Sequence, residues 1–167
     1  DPPLVMLLSG RFQVRGSSAY SLRLAQHLPD CGIQPLIICP NARLVEANQR
    51  RELGIREYPY LDLAYYNRLI LRRVTHDLGG RLPDLIHIQS RRMLRQGKWL
   101  ARRLNRPYIL SVHDYLGPQE KVLLNNPQCA RVITVSESVK RDFAAHTGIN
   151  EDLVTVIPSG VDLNVES

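Results

Sequence analysis

Cysteine is scarce and unpatterned in these 167 residues: Cys31, Cys39 and Cys129 are odd in number, widely spaced and without a C-x-x-C pairing. That spacing argues against a disulfide framework or a zinc site and favours a reducing compartment. Long apolar runs are missing as well. None approaches the ~18 residues of a membrane span, and the first, residues 4–8, is too short for a signal peptide and lacks a basic lead-in. A soluble or peripheral protein is expected. No internal repeat, low-complexity tract or Pro/Gly-rich linker divides the chain, so no domain boundary falls inside it. It opens at Asp1-Pro2-Pro3 without Met and stops in Asn164-Val165-Glu166-Ser167, and is expected to be a piece excised from something longer.

What is present is the balance of one globular domain with a real core: 44% hydrophobic and 23% charged residues. Disorder, collagen and coiled coil are excluded. Twenty-two Lys and Arg against 16 Asp and Glu give a net charge of +6, which calls for an anionic partner: lipid, nucleotide or nucleic acid.

Short, continuous apolar runs recur at 4–8, 35–39, 85–88, 108–112, 132–135 and 154–157, as strands covered on both faces should read. Between them, helical spacing occupies 17–28, 43–53, 63–78, 93–104 and 137–146. Ser17 or Ser18 reads as the N-cap of the first helix and Ser136 as that of the last; Gly79-Gly80 and Gly148 read as stops. Strand and helix in alternation predict an α/β domain, a Rossmann-like, doubly wound, mainly parallel sheet with helices on both faces. Ligands of such a sheet lie beyond the carboxyl ends of its strands. The residues to weigh are therefore 9–17, 87–90, 111–115 and 136–138.

In the first of these segments Gly10 and Gly16 precede a helix whose N–H groups could face a phosphate. Phe12 and Arg15 stand where G-x-G-x-x-G needs glycine, and five residues rather than four separate Gly10 from Gly16, so neither dinucleotide fingerprint nor P-loop is present. A plain turn into a helix is the alternative for Gly16. His113, with Asp114 beside it, follows the strand 108–112 where it can donate to a sugar hydroxyl or phosphate oxygen, act as acid or base, or serve only as a structural hydrogen-bonding residue. His87 reads as structural. Ser17 and Ser136 lie outside any G-x-S-x-G and read as caps. His27, His76 and His146 have no partner at metal-ligand spacing, so no metal is expected, and Cys39 and Cys129 read as small buried hydrophobes.

The positive charge is local. Arg91, Arg92, Arg95, Lys98, Arg102, Arg103 and Arg106 fall in 16 residues with no acid, leaving 15 basic against 16 acidic residues elsewhere. At about 100° per residue the first six share one helix face with Trp99, and Met93, Leu94, Gly97, Leu100, Ala101 and Leu104 the other. Two readings stay open: an interfacial helix holding anionic lipid through Arg95, Lys98, Trp99 and Arg102, or the solvated side of a crossover helix. Nucleic acid is not expected, because no recognised motif or aromatic stacking surface accompanies the arginines.

Taken in order, Leu24-Ala25-Gln26-His27-Leu28, Cys31-Gly32-Ile33, Pro83-Asp84-Leu85-Ile86-His87, the segment from Pro107 to Asp114 and the segment from Ala130 to Ser138 resemble the N-terminal half of a family 4 glycosyltransferase of GT-B architecture. The segment from Val154 to Asp162 looks like the hinge into that family's second domain. The resemblance covers nearly the whole chain. It implies a retaining, nucleotide-sugar-dependent enzyme with a cleft between two domains. Residues 1–167 would be its acceptor-side domain, with 158–167 starting the hinge and the C-terminal donor-binding domain absent. It further implies that Gly16 offers its backbone N–H to the donor diphosphate with Ser17 behind it. His113 would contact and position the donor sugar. Arg15, Asp114, Ser136, Glu137, Ser159, Gly160 and Asp162 would line the cleft or acceptor side. No metal or other cofactor is implied beyond the nucleotide-diphosphate sugar substrate, the acceptor would be a glycan or a lipid-linked acceptor, and the protein is expected in the cytoplasm, either free or peripheral at the inner face of the membrane. Arg15 stands where the family often has a second glycine, Gln89 where it often has the second His of His-x-His, and Ser159 where Asn is commoner. These departures keep open a non-catalytic sugar- or nucleotide-binding module. A sugar-nucleotide epimerase of the same fold is the third alternative.

Overall fold

A computed structural model describes residues 1–12, 17–124 and 127–158. Seven strands run in the order β3-β2-β1-β4-β5-β6-β7, and every neighbouring pair is parallel. In chain order these are β1 (Leu4–Leu8), α1 (Ser17–His27), β2 (Gln34–Cys39), α2 (Ala47–Glu52), β3 (Arg56–Glu57), α3 (Asn67–Asp77), β4 (Leu85–Ile88), α4 (Leu94–Leu104), β5 (Tyr108–Val112), β6 (Cys129–Thr134), α5 (Glu137–Thr147) and β7 (Val154–Val156). The predicted doubly wound sheet is the architecture found.

Period-two alternation sends side chains to two cores. Met6, Leu8, Ile38, Ile86, Ile88, Leu110 and Val112 pack with Leu71 and Val74 of α3, with Leu100 and Leu104 of α4, and with Val139 and Phe143 of α5. Leu7, Ile37 and Cys39 pack on the opposite side with Ala25 of α1. Gly97 lets α4 pack directly on the sheet. A Cβ there would run into the side chain of Ile88.

Several boundaries differ from the sequence reading. α1 starts with Ser17 as its first helical residue rather than its cap. α3 begins at Asn67, not at residue 63, because Tyr60 takes a left-handed φ of 68°. Turn bonds from Leu61 N–H to Tyr58 and from Leu63 N–H to Tyr60 then occupy the backbone that a helix would need. α2 is shortened to six residues, and the edge strand β3 was not anticipated, since its two exposed charged residues carry no apolar signal. Ser136 caps α5 as expected, its Oγ accepting the Val139 N–H, and Gly148 ends that helix with φ 69°.

Candidate active site

The carboxyl ends of β1, β4 and β5 open into a cleft of about 540 Å³. Ser9, Gly10 and Arg11 enter it from β1, Gln89 to Arg92 from β4, and Ser111, His113 and Asp114 from β5. A larger depression of about 920 Å³ runs along the outer edge of the sheet between β3 and α3. Its charges are already satisfied, Tyr58 donating to Asp77 at 2.9 Å and Arg73 pairing with Asp77 at 3.8 Å. The cleft at the strand ends is therefore the candidate site.

Its floor is polar because alternation along two adjacent strands places His87 and Ser111 opposite the apolar core formed by Ile86, Ile88, Leu110 and Val112. His87 Nε2 and Ser111 Oγ lie 2.7 Å apart, and Tyr20 from the first turn of α1 bonds the same Ser111. One residue further along α1, Ser21 receives a hydrogen bond from Ser9 at 3.4 Å and donates to Gln89 Oε1 at 3.1 Å. Gln89 is 1% exposed, and its Nε2 has no partner among the described residues. Burial, aided by repulsion from His113, pushes the His87 imidazole down to about 4, so it is neutral at neutral pH. His87 is the structural residue that the sequence predicted.

His113 stands at the edge of this network. Its Nε2 donates to the Gln89 carbonyl at 3.2 Å, and its ring meets Tyr20 edge-on with centroids 5.4 Å apart. Donation through Nε2 selects the tautomer whose Nδ1 is an acceptor. Burial lowers the affinity of His113 for a second proton and Arg91 lowers it further, against the opposing pull of the Gln89 carbonyl and Asp114. The imidazole is thus a neutral, oriented hydrogen-bonding group rather than a cation.

Arg91 organises the neighbouring wall. It pairs with Asp114 at 2.6 Å and with Glu120 at 2.9 Å, and its own side chain is 14% exposed. Its Nη2 reaches the second Glu120 oxygen at 3.0 Å, making the contact a two-pronged fork. The fork ties the turn after β4 to the segment between β5 and β6. Arg91 precedes α4 in a 3-10 turn capped by Ser90, so its charge is spent within the domain and does not belong to the cationic face predicted for the helix. Arg11 pairs with Asp62 at 2.7 Å. Arg92 also lines the cleft, with no acidic partner among the described residues.

The structure brings His113 and Asp114 together in the cleft. Ser136 and Glu137 follow β6 on the same side of the sheet but do not line it. Arg15, Gly16, Ser159, Gly160 and Asp162 lie outside the described residues, as does the Ser17 side chain. Arg95, Lys98, Trp99 and Arg102 sit on α4, away from the cleft. Trp99 does not point freely outward as the helical wheel suggested. It is half-buried against the main core, because α3 packs alongside α4. Tyr20, Ser21 and Arg91 were not anticipated as site residues, and Gln89 and Ser111, although within the strand-end segments singled out, were given no role there. The one available signal was a polar residue at the inward-alternating position of each of two otherwise apolar strands, Leu-Ile-His-Ile and Tyr-Ile-Leu-Ser-Val. Among the described residues no group of three His, Cys, Asp or Glu could hold a metal ion.

The family described as Glycosyltransferase Family 4 matches residues 14–165. HepE of Anabaena, solved with UDP and glucose, superposes with a TM-score of 0.72 at 18% identity, over 97% of this chain and 46% of that one. The lipopolysaccharide outer core galactosyltransferase WaaB also superposes at 0.72, with 10% identity over 97% of this chain and 47% of WaaB. A putative UDP-N-acetylglucosamine 2-epimerase from Listeria monocytogenes gives 0.61 at 9% identity, over 93% and 45%. The chain thus spans about half the length of the solved proteins it matches. No curated protein matches it in sequence.

Proposed function

Since the chain belongs to glycosyltransferase family 4, we propose that it forms the acceptor-side half of a retaining glycosyltransferase. The enzyme moves a sugar from a nucleotide-diphosphate donor to a glycan or lipid-linked acceptor. The observation carrying this reading is His113, held neutral at the carboxyl ends of the sheet by its bond to Gln89 and its contact with Tyr20. A neutral, fixed imidazole suits contact with a sugar hydroxyl, and its Nδ1 is the group turned to that task. The bond from the anomeric carbon to the diphosphate breaks, and the acceptor oxygen bonds to the same face. The acceptor's proton passes to the leaving diphosphate, so no strong protein base is required.

Gly16 is assigned the backbone N–H toward the donor diphosphate at the start of α1, with Ser17 next to it, where the positive end of the helix favours the anion. Arg15, Arg92 and Asp114 are assigned to the acceptor side, and Ser159, Gly160 and Asp162 to the passage into the second domain. Ser136 and Glu137 keep a place only at the rim. The donor needs no metal in this scheme, and turnover should survive a chelator. The protein is placed in the cytoplasm, peripheral to the inner membrane face.

The test is transfer and donor hydrolysis by the full-length protein over a panel of nucleotide sugars. One donor should be used, and His113→Ala should reduce kcat/KM by about 10²- to 10³-fold, the scale of removing one oriented polar contact from a transition state. Binding without turnover would favour the non-catalytic module, and interconversion of a free nucleotide sugar the epimerase.

A further inference from the structure

Gln89 sits in the floor of the cleft at the end of β4 and is 1% exposed. Its side chain is held by α1. Ser21 takes a proton from Ser9 at 3.4 Å and gives its own to Gln89 Oε1 at 3.1 Å. That chain of donors decides which way the amide lies: Oε1 is the end tied to α1, and Nε2 is the end left over. Nε2 is buried and has no partner among the described residues. Buried polar atoms are paired in the large majority of cases, and a donor shut away without an acceptor lowers stability. A fold that keeps such a donor in the floor of its cleft keeps it for an oxygen that arrives with a ligand. The surroundings define that oxygen. Ser9, Ser21 and Ser111 of the floor are buried and neutral. Of the cleft's cations, Arg11 is held by Asp62 and Arg91 by Asp114 and Glu120, and Arg92 is exposed. A neutral carboxamide among buried serines matches an uncharged oxygen, whereas a phosphate calls for a free cation or helix amides.

We infer that Gln89 Nε2 donates to one hydroxyl of the transferred sugar and makes the enzyme selective for donors that carry that hydroxyl. The inference rests on the placement of His113 at the same sugar in the function proposed above. The Gln89 carbonyl receives His113 Nε2 at 3.2 Å, so carboxamide and imidazole share one part of the floor. Their free ends are complementary. Nδ1 of His113 accepts a proton from a hydroxyl and Nε2 of Gln89 gives one to a hydroxyl oxygen, so the sugar is read by one acceptor and one donor. Selectivity of this kind is steep, because an analogue lacking the hydroxyl leaves the buried amide unpaired again. Gln89 also stands where the family more often has His, so the preference belongs to this chain's own donor.

Calorimetric titration of the full-length protein tests it, with the donor that the panel identifies and with analogues of that donor lacking one sugar hydroxyl each. One analogue should bind about 10- to 100-fold more weakly than the donor, the scale of leaving one buried donor unpaired. Gln89→Met, similar in length and without an amide, should bind the donor more weakly by a similar factor. It should no longer distinguish the donor from that analogue by more than about twofold, the margin of an additive pair. The free nucleotide diphosphate has no sugar to read and should bind both proteins equally, a result that a misfolded variant would not give. Equal affinity of the unaltered protein for the donor and every analogue would overturn the proposal without any variant. So would a Gln89→Met protein that keeps the full preference for the donor over the same analogue. In either case donor binding and transfer would leave the transferase reading standing. Failure of every nucleotide sugar to bind would remove that reading and this inference with it.

Discussion

His87 carries a titratable ring into a strand interior, and its consequence is a pH dependence of stability with a definite sign. The folded ring protonates near 4, whereas an exposed imidazole does so near 6.5. Below 6.5 the unfolded chain binds a proton that the folded chain refuses, so stability is full above 6.5 and falls as the pH drops toward 4. The loss approaches about 3 kcal/mol. Thermal melts across that window should show the slope, and His87→Gln, which can still bond Ser111, should flatten it. An unchanged slope would place the acid sensitivity elsewhere. Arg91 makes a second claim at this scale. Exposed ion pairs contribute about 0.2–1 kcal/mol, but the Arg91 side chain is 14% exposed and forked onto Glu120. A double-mutant cycle of Arg91→Met and Glu120→Gln should therefore return more than about 1 kcal/mol of coupling, and a value near zero would reduce the fork to a surface contact.

Among the elements, α4 approaches β4 so closely at Gly97 that a side chain there has no room. Ala is favoured over Gly in a helix by about 1 kcal/mol, yet a Cβ at residue 97 would meet Ile88, and overpacking costs about 1–3 kcal/mol. Gly97→Ala should lower stability by up to about 2 kcal/mol in denaturant melts; a more stable variant would mean that Ile88 swings aside freely. Six of the seven strands and all five helices were readable in the sequence, and all of these except α2, which buries no residue, carry an apolar face that packs on a core. β3 was not, since pairing with β2 through Ile38 and Cys39 makes it a strand while its own residues are charged and exposed. The start of α3 was misread because the apolar spacing continues upstream through Leu63 into a turn set by Tyr60. Trp99 was placed outward by a helical wheel, which describes one helix and cannot show that α3 lies against it.

At the scale of the molecule, the position of His113 and Asp114 in the cleft was legible because topology alone puts the end of β5 there. The meeting of Tyr20 and Ser21 with Gln89 and Ser111 was not, since it depends on how α1 lies across β4 and β5. The protein matched at 0.72 that is named as a galactosyltransferase is about twice the length of this chain. The 167-residue chain on its own should therefore fold, its two cores both being complete within the described residues, and show no sugar transfer. Transfer by it alone would contradict the division of the active site between two domains. On the function proposed above, His113 also sets the pH response of the full-length enzyme. Because burial lowers its proton affinity, kcat/KM should hold down to the ordinary imidazole range near 6.5 and decline only below it. The most direct measurement is the kcat/KM of full-length protein and of His113→Ala with the donor that the panel identifies, alongside thermal midpoints of both. A loss of about 10²-fold or more with nearly unchanged stability is the predicted result. Equal activity, or a loss of activity that merely follows a loss of stability, would contradict the placement of His113 at the transferred sugar.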